Sequence, residues 1–254
     1  MVKDERADRE LNRIIGLALA EDCVRRDVTS KSVIPAALQG RAVLQAKAAG
    51  ILSGLSVFSR IFLRVDRSLE VKLSKRDGDA VSPGDVCAEV EGRARSILAA
   101  ERVALNFVCH LSGVATATAR YVTEVRGLSA VIVDTRKTMP GMRRLEKEAV
   151  KAGGGVNHRF DLADGILIKD NHLAVLRAGG ESLAEIVRRA RSRAPAGLIV
   201  EVEVTSLAEA EEAAAAGADM LLLDNMTPAA VGEVALKLGK KVQLEASGGI
   251  NLSN

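Results

Sequence analysis

From about residue 130 to its end the chain repeats one pattern, an apolar run, a polar loop and an amphipathic stretch, and this rhythm limits the fold more than any other feature. The apolar runs predict strands at residues 130–134, 165–169, 198–204, 220–224 and 241–246. Strands recurring every twenty to thirty-odd residues with helices between them are parallel βα units. Five such units form an open sheet or part of a (β/α) barrel. The clearest intervening helix is 206–216, where Ser206 caps the start and Glu209, three residues on, completes a capping box.

The first hundred residues have a different texture. Short β-like stretches (RAVLQAKAAG, LEVKLSKR, DVCAEVEG) alternate with turns such as DGDAVSPGD, which predicts an α+β unit rich in antiparallel pairing. Residues 96–122 then place apolar side chains at helical spacing, as one long helix or two consecutive ones. The first stretch is therefore expected to be a separate small domain, bridged by this helical segment to the parallel βα units. The DGDAVSPGD hairpin also suits a lipoyl- or biotinyl-type carrier, but no Lys stands at its turn, so it is read as structural.

Composition excludes several roles. With one Tyr, four Phe and no Trp there are few flat side chains on which to stack bases, which argues against single-strand nucleic-acid binding. Cys23, Cys87 and Cys109 form no CxxC pair, so neither a disulfide framework nor a zinc ribbon is expected. The charged opening MVKDERADRELN lacks the apolar stretch of a secretory signal, and no apolar run looks long enough to cross a bilayer. A soluble, cytoplasmic protein is expected.

In a barrel, chemistry sits at the C-terminal ends of the strands. The residues there are Thr135, Arg136 and Lys137; Lys169 to His172; Glu201 and Glu203; Asp224 and Asn225; and Ser247, Gly248 and Gly249. Seven Lys or Arg and His158 crowd residues 136–159 against two acids. Arg144, Lys147, Glu148 and Lys151, spaced three and four apart, read as a solvated helical face. Arg136 and Lys137 follow an apolar strand directly and suit a small anion. The run GGGVNHRF is either a helix stop or the turn of a cationic pocket holding His158, Arg159 and Lys169. Glu201 and Glu203, two apart, share a strand face with Asp224 one strand away. They form a Mg²⁺ or ribose hydroxyl site, or pair with Lys169 or Lys137; both readings stand. Ser247 to Gly249 offer backbone N–H groups to a phosphate.

The string DTRKTMPGMRRLEKEAVKAGGGVNHRFDLADGILIKDNH, with LAEDCVRRDVTS, ILSGL, AERVALNFVCHLSGVAT, EVEV, LLLDN and EASGGIN, resembles the quinolinate phosphoribosyltransferase family of type II phosphoribosyltransferases. The resemblance implies an α/β protein of two domains, an N-terminal α/β sandwich over residues 1–108 and an incomplete (β/α) barrel over 109–254, and the joining of quinolinate to phosphoribosyl pyrophosphate with Mg²⁺, giving nicotinate mononucleotide, pyrophosphate and CO₂. It assigns Arg136, His158, Arg159 and Lys169 to quinolinate, Thr135 to substrate binding, and Lys137, Glu203 and Asp224 to the phosphoribosyl group and metal as the catalytic set. It further assigns Ser247, Gly248 and Gly249 to the 5′-phosphate, and Arg102 to a partner subunit's site, hence a homodimer. Two departures stand out: Val24, Arg25 and Arg26 replace a glycine-bearing motif, and the family continues past SGGIN with another strand and a glycine-containing turn that completes the phosphate site, so either a chain shortened at that end or a barrel open there is expected. The alternatives are a molybdenum-operon homologue acting on another substrate and an inactive ligand-binding barrel.

Overall fold

The computed structural model describes residues 5–254, which divide into two compact units, residues 5–158 and 159–254. The first contains α1 (Glu5–Glu21), α2 (Val28–Val33), β1 (Gln39–Gln45), β2 (Gly50–Ile51), α3 (Leu55–Val65), β3 (Glu70–Leu73), β4 (Ala80–Val81), β5 (Val86–Arg93), α4 (Ala94–Glu124) and α5 (Arg143–Ala152). The second contains β6 (Ile166–Ile168), α6 (Asp170–Ala178), α7 (Leu183–Arg193), β7 (Val200–Val204), α8 (Leu207–Ala215), β8 (Met220–Asp224), α9 (Pro228–Leu238) and β9 (Gln243–Ser247).

In the first unit β5 is the centre of an antiparallel sheet, paired with β1 on one side and β3 on the other. Its Cys87, Ala88 and Val90 are buried in one cluster with Val57, Phe58 and Ile61 of α3 and Val103 and Phe107 of α4. This is the antiparallel α+β unit that the alternating stretches predict. Residues 108 and 109, where the resemblance places the domain boundary, lie inside α4, a single unbroken helix of 31 residues. By length and composition α4 is apolar enough to cross a membrane, contrary to the expectation of no such run. Nine of its side chains, from Ile97 to Thr118, are buried in the protein, as in the core helix of a folded domain.

The second unit is a parallel sheet in sequential order, β6-β7-β8-β9, the arrangement of an arc of a βα barrel. Four of the five predicted strands are present. Residues 130–134 are not a strand: they belong to the first unit and make one isolated parallel bridge, Val133 to Val156, with two backbone hydrogen bonds, Asp134 N–H to Val156 O (3.1 Å) and Val156 N–H to Ile132 O (2.8 Å). Side chains of β6 to β9 divide sharply. Ile166, Ile168, Val200, Val202, Val204, Leu221, Leu223 and Leu244 pack with helices α6 to α9. The alternate residues face the other way.

Local sequence sets the helix starts. The Ser182 hydroxyl and Glu185 carboxylate form the capping box of α7, and Thr227 caps α9 with Pro228 in its first turn. At α8 Ser206 accepts the Glu209 N–H as expected, but the Glu209 carboxylate turns to the N–H and hydroxyl of Thr205 (3.0 Å each) and the box is only half made.

Gly153 shows how tightly the first unit is built: a Cβ there would stand 2.3 Å from the Ala115 carbonyl oxygen of α4. The glycine run ends α5 and lets it lie against α4, so its first role is the helix stop. Gly153→Ala is expected to destabilise the protein by about 1–3 kcal/mol, because a backbone oxygen cannot rotate away as a side chain can. Urea unfolding of the two proteins measures this, and equal midpoints would show that the contact is not tight.

Candidate active site

In the first unit the candidate residues hang from a buried ion pair. Asp134 and Lys147 have side chains 6% and 2% exposed and are in direct contact. Asp134 Oδ1 also accepts the His158 N–H (2.9 Å), and Lys147 Nζ donates to the His158 carbonyl (3.0 Å). In the amide orientation that matches donors to acceptors, Asn157 adds bonds to Lys147 O (2.9 Å) and Asp134 Oδ2 (2.8 Å). The DTRKT and GGGVNHR strings, twenty residues apart, are thus clamped together, and Thr135, Arg136, Lys137 and His158 stand beside the clamp.

The solvated-face reading of Lys147 is therefore corrected. Its place on α5 faces inward, and the charge is tolerated because Asp134 meets it there. Glu148 and Lys151 are exposed as expected, and Arg144 reaches Glu10 (3.3 Å). Glu146, one residue before Lys147, is also buried and accepts from His110 Nε2 (2.8 Å) and the Met139 N–H (3.3 Å). Asp134 was not singled out from the sequence, although it is an acid closing an apolar run just before Thr135.

Arg136 is half-buried, and its Nε is shut off from solvent without a hydrogen-bond partner. A guanidinium in that state is suited to a carboxylate, which accepts two parallel N–H bonds and restores what burial removed. Thr135 and Lys137 are exposed, and Thr135 Oγ1 accepts the Lys137 N–H (3.0 Å), shaping the turn that carries both. Arg102 is exposed on α4.

In the second unit the sheet face turned away from the helices carries Lys169, Glu201, Glu203, Asp224, Glu245 and Ser247. Glu201 is 2% exposed, and Glu203 and Asp224 sit half-buried at the C-terminal rim. Burial pushes Glu201 up to about 7, opposed by the positive charges of Arg159 and Lys169. Glu203 is raised first by burial, then by the negative charges of Asp224 and Asp170, and is held down by Lys169 and the Asp170 backbone. Both readings of the acids thus have support: Lys169 attracts the pair electrostatically, and Glu203 and Asp224 repel each other as two carboxylates that a divalent cation would reconcile.

Arg159 Nη1 donates to the Gly165 carbonyl (3.4 Å), and the Lys169 N–H donates to His172 Nδ1 (2.9 Å), so His172 caps α6. At the end of β9, Gly248 has φ of 80° and a Cβ on it would fall 2.3 Å from Asn225 Oδ1. Asn225, itself at φ 54°, donates through Nδ2 to Asp224 Oδ2 (2.7 Å) and through its backbone N–H to Ser247 O (2.8 Å). It ties the Ser247 to Gly249 loop to Asp224, a link that sequence reading missed although Asn225 follows Asp224 directly.

Such a fold, with a cationic turn and a carboxylate-lined strand rim, belongs to the enzymes that handle anionic substrates on βα scaffolds. Comparison with known proteins narrows this class. Residues 27–112 match the model of the quinolinate phosphoribosyl transferase N-terminal domain, and residues 114–254 match that of its C-terminal domain. A probable nicotinate-nucleotide pyrophosphorylase [carboxylating] of Bacillus subtilis is 40% identical over 96% of this chain and 83% of its own length. The human nicotinate-nucleotide pyrophosphorylase [carboxylating] is 41% identical over 93% of this chain and 78% of its own. Among solved structures, NadC from Streptococcus pyogenes superposes with a TM-score of 0.90 at 41% identity, covering 96% of this chain and 85% of that one. The chain belongs to the quinolinate phosphoribosyltransferase family.

The raised Glu201 makes stability depend on pH. Its folded value lies above the ordinary 4.5, so its proton favours the folded state; that contribution is complete below about pH 4.5 and lost as pH rises through 7. Unfolding free energy from urea titrations, without metal or substrate, should fall by about 1.4 kcal/mol per pH unit across that window relative to Glu201→Gln. Parallel pH profiles for the two proteins would contradict the assignment.

Proposed function

We propose that this chain transfers phosphoribosyl from phosphoribosyl pyrophosphate to quinolinate with loss of CO₂, forming nicotinate mononucleotide and pyrophosphate in NAD biosynthesis. The observation that carries the reading is Arg136: a buried Nε without a partner, two residues after the Asp134 of the buried pair, in a chain of this family. Quinolinate brings two adjacent carboxylates, and Arg136, His158, Arg159 and Lys169 orient that dianion. The relatives' names favour this substrate over that of a molybdenum-operon homologue or an inert barrel.

Orientation matters because the pyridine nitrogen must approach the ribose C1 in line with the departing pyrophosphate. As the N–C1 bond forms and the C1–O bond breaks, positive charge develops on the ribose, and Glu203 and Asp224 are preplaced to stabilise it. Lys137 takes up charge on the leaving phosphates, and the Ser247 to Gly249 backbone holds the 5′-phosphate. Glu203 and Asp224 also fit Mg²⁺, which when bound supplies charge neutralisation for the pyrophosphate. Once the nitrogen is quaternary, the neighbouring carboxylate leaves as CO₂, its bonding pair stays on the ring carbon beside the cation, and that carbon takes a proton from solvent. No base is required for the carbon–carbon cleavage.

A homodimer and a cytoplasmic location complete the reading. Arg102 is exposed on α4, and an apolar cavity of about 1000 Å³ lined by Leu105, Val108 and Ser112 runs along the same helix, a surface suited to a second copy. The three cysteines are free, and Cys23 and Cys109 are exposed, as suits a reducing compartment.

Arg136→Ala should weaken quinolinate binding by 100-fold or so, about 2.7 kcal/mol for loss of a charged bidentate contact, while leaving phosphoribosyl pyrophosphate binding within about twofold. Asp224→Asn should do the reverse and raise the Mg²⁺ requirement. Calorimetric titration of each substrate into each variant reads both, and unchanged quinolinate affinity in Arg136→Ala would overturn the assignment.

A further inference from the structure

The first unit holds a cavity of about 800 Å³, bordered by α1, the 3₁₀ turn Val24–Arg26, α2, the end of α3 and the start of α4, that the reaction above does not use. Its wall carries six cations, Arg25, Arg26, Lys31, Arg64, Arg67 and Arg95, against one carboxylate, Asp27. Six against one leaves five positive charges in one concavity, more than the +3 of the entire chain. Asp27 is already engaged, its Oδ1 accepting the Ser30 N–H (2.9 Å) as the cap of α2. Asp66, beside Arg67 in sequence, is engaged by Arg93 (2.8 and 3.0 Å) and the Ser96 hydroxyl (2.7 Å). Among the described residues none of the six cations forms an ion pair with a carboxylate.

Two of the six are fixed by backbone. Arg95 donates to the carbonyls of Ile34 (2.7 Å) and Lys31 (3.0 Å), and Lys31 Nζ donates to the Arg25 carbonyl. These bonds stitch the turn and α2 to α4 and hold the charges where their mutual repulsion would otherwise spread them. Gathering like charges in a concave wall costs repulsion and focuses the field inward, an arrangement relieved by a bound anion. Five of the six are arginines, whose planar forks match phosphate oxygens. The volume lies in the range of small-molecule sites, and Leu19, Val24, Val65 and Ala99 offer an apolar wall to the organic part of a ligand.

We propose that this cavity is a second anion site, distinct from the residues assigned to the reaction, and that it takes a small organic molecule bearing a di- or triphosphate. The inference rests on the first unit alone and does not require the quinolinate reading.

The test is calorimetry on the full chain carrying Lys137→Ala and Asp224→Asn, which disables the phosphoribosyl residues, with inorganic pyrophosphate as the probe. Saturable binding of one pyrophosphate per chain is expected. Adding Arg25→Ala and Arg26→Ala should weaken it at least tenfold, and Arg25→Lys with Arg26→Lys should retain most of it. Thermal unfolding reports whether each variant is folded, and Arg67→Glu, a single exposed change expected to weaken binding at least tenfold, serves if the alanine pair is not. Absence of saturable binding, or binding indifferent to these arginines in folded variants, overturns the proposal. Quinolinate turnover plays no part in either readout, so this site and the reaction stand or fall separately.

Discussion

Everything assigned to the cationic turn depends on the buried Asp134–Lys147 pair. The segment before Thr135 has only two ladder hydrogen bonds to the strip after the glycines, too few to fix it as a strand. What fixes it is charge: Asp134 meets Lys147 out of water, and both also bind the His158 backbone. Buried pairs are costly to desolvate and contribute little net stability, but losing one partner leaves the other stranded. Their value here is positional, since one interaction ties the Asp134 side chain and the His158 backbone together beside the segment that carries Arg136.

The second unit solves a different problem. Parallel sheets are usually covered on both faces and their strands read as unbroken apolar runs. Here β7 reads Val, Glu, Val, Glu, Val, and the alternate residues of β8 and β9 include Asp224, Glu245 and Ser247. A half-polar parallel sheet gives up core packing for chemistry. Glu201 and Glu203 are raised there first by burial and then by neighbouring acids, and the positive charge of Lys169 opposes both.

Much of this was legible in the sequence because period and position suffice to read it. The βα rhythm located four parallel strands, the alternation before residue 94 located the antiparallel sheet, and the spacing of Glu201 and Glu203 put both on one sheet face with Asp224. Where reading failed, the missing information was tertiary. Lys147 has the helical spacing of a surface residue, and only the arrival of Asp134 from thirteen residues away makes it a buried one. Residues 130–134 have a strand's composition but lack a partner of strand length. Glu209 chose Thr205 over Ser206 by a difference of one residue in reach. The basic cavity gathers cations from residues 25 to 95, which no local window brings together.

The central claim is a single coupled reaction on this chain, and the direct measurement is turnover: the protein with quinolinate, phosphoribosyl pyrophosphate and Mg²⁺, with nicotinate mononucleotide and released CO₂ followed together. The account requires the two products to appear in equal amounts, and neither without Mg²⁺. Nucleotide without CO₂, or no product from a chain that binds both substrates, would contradict it.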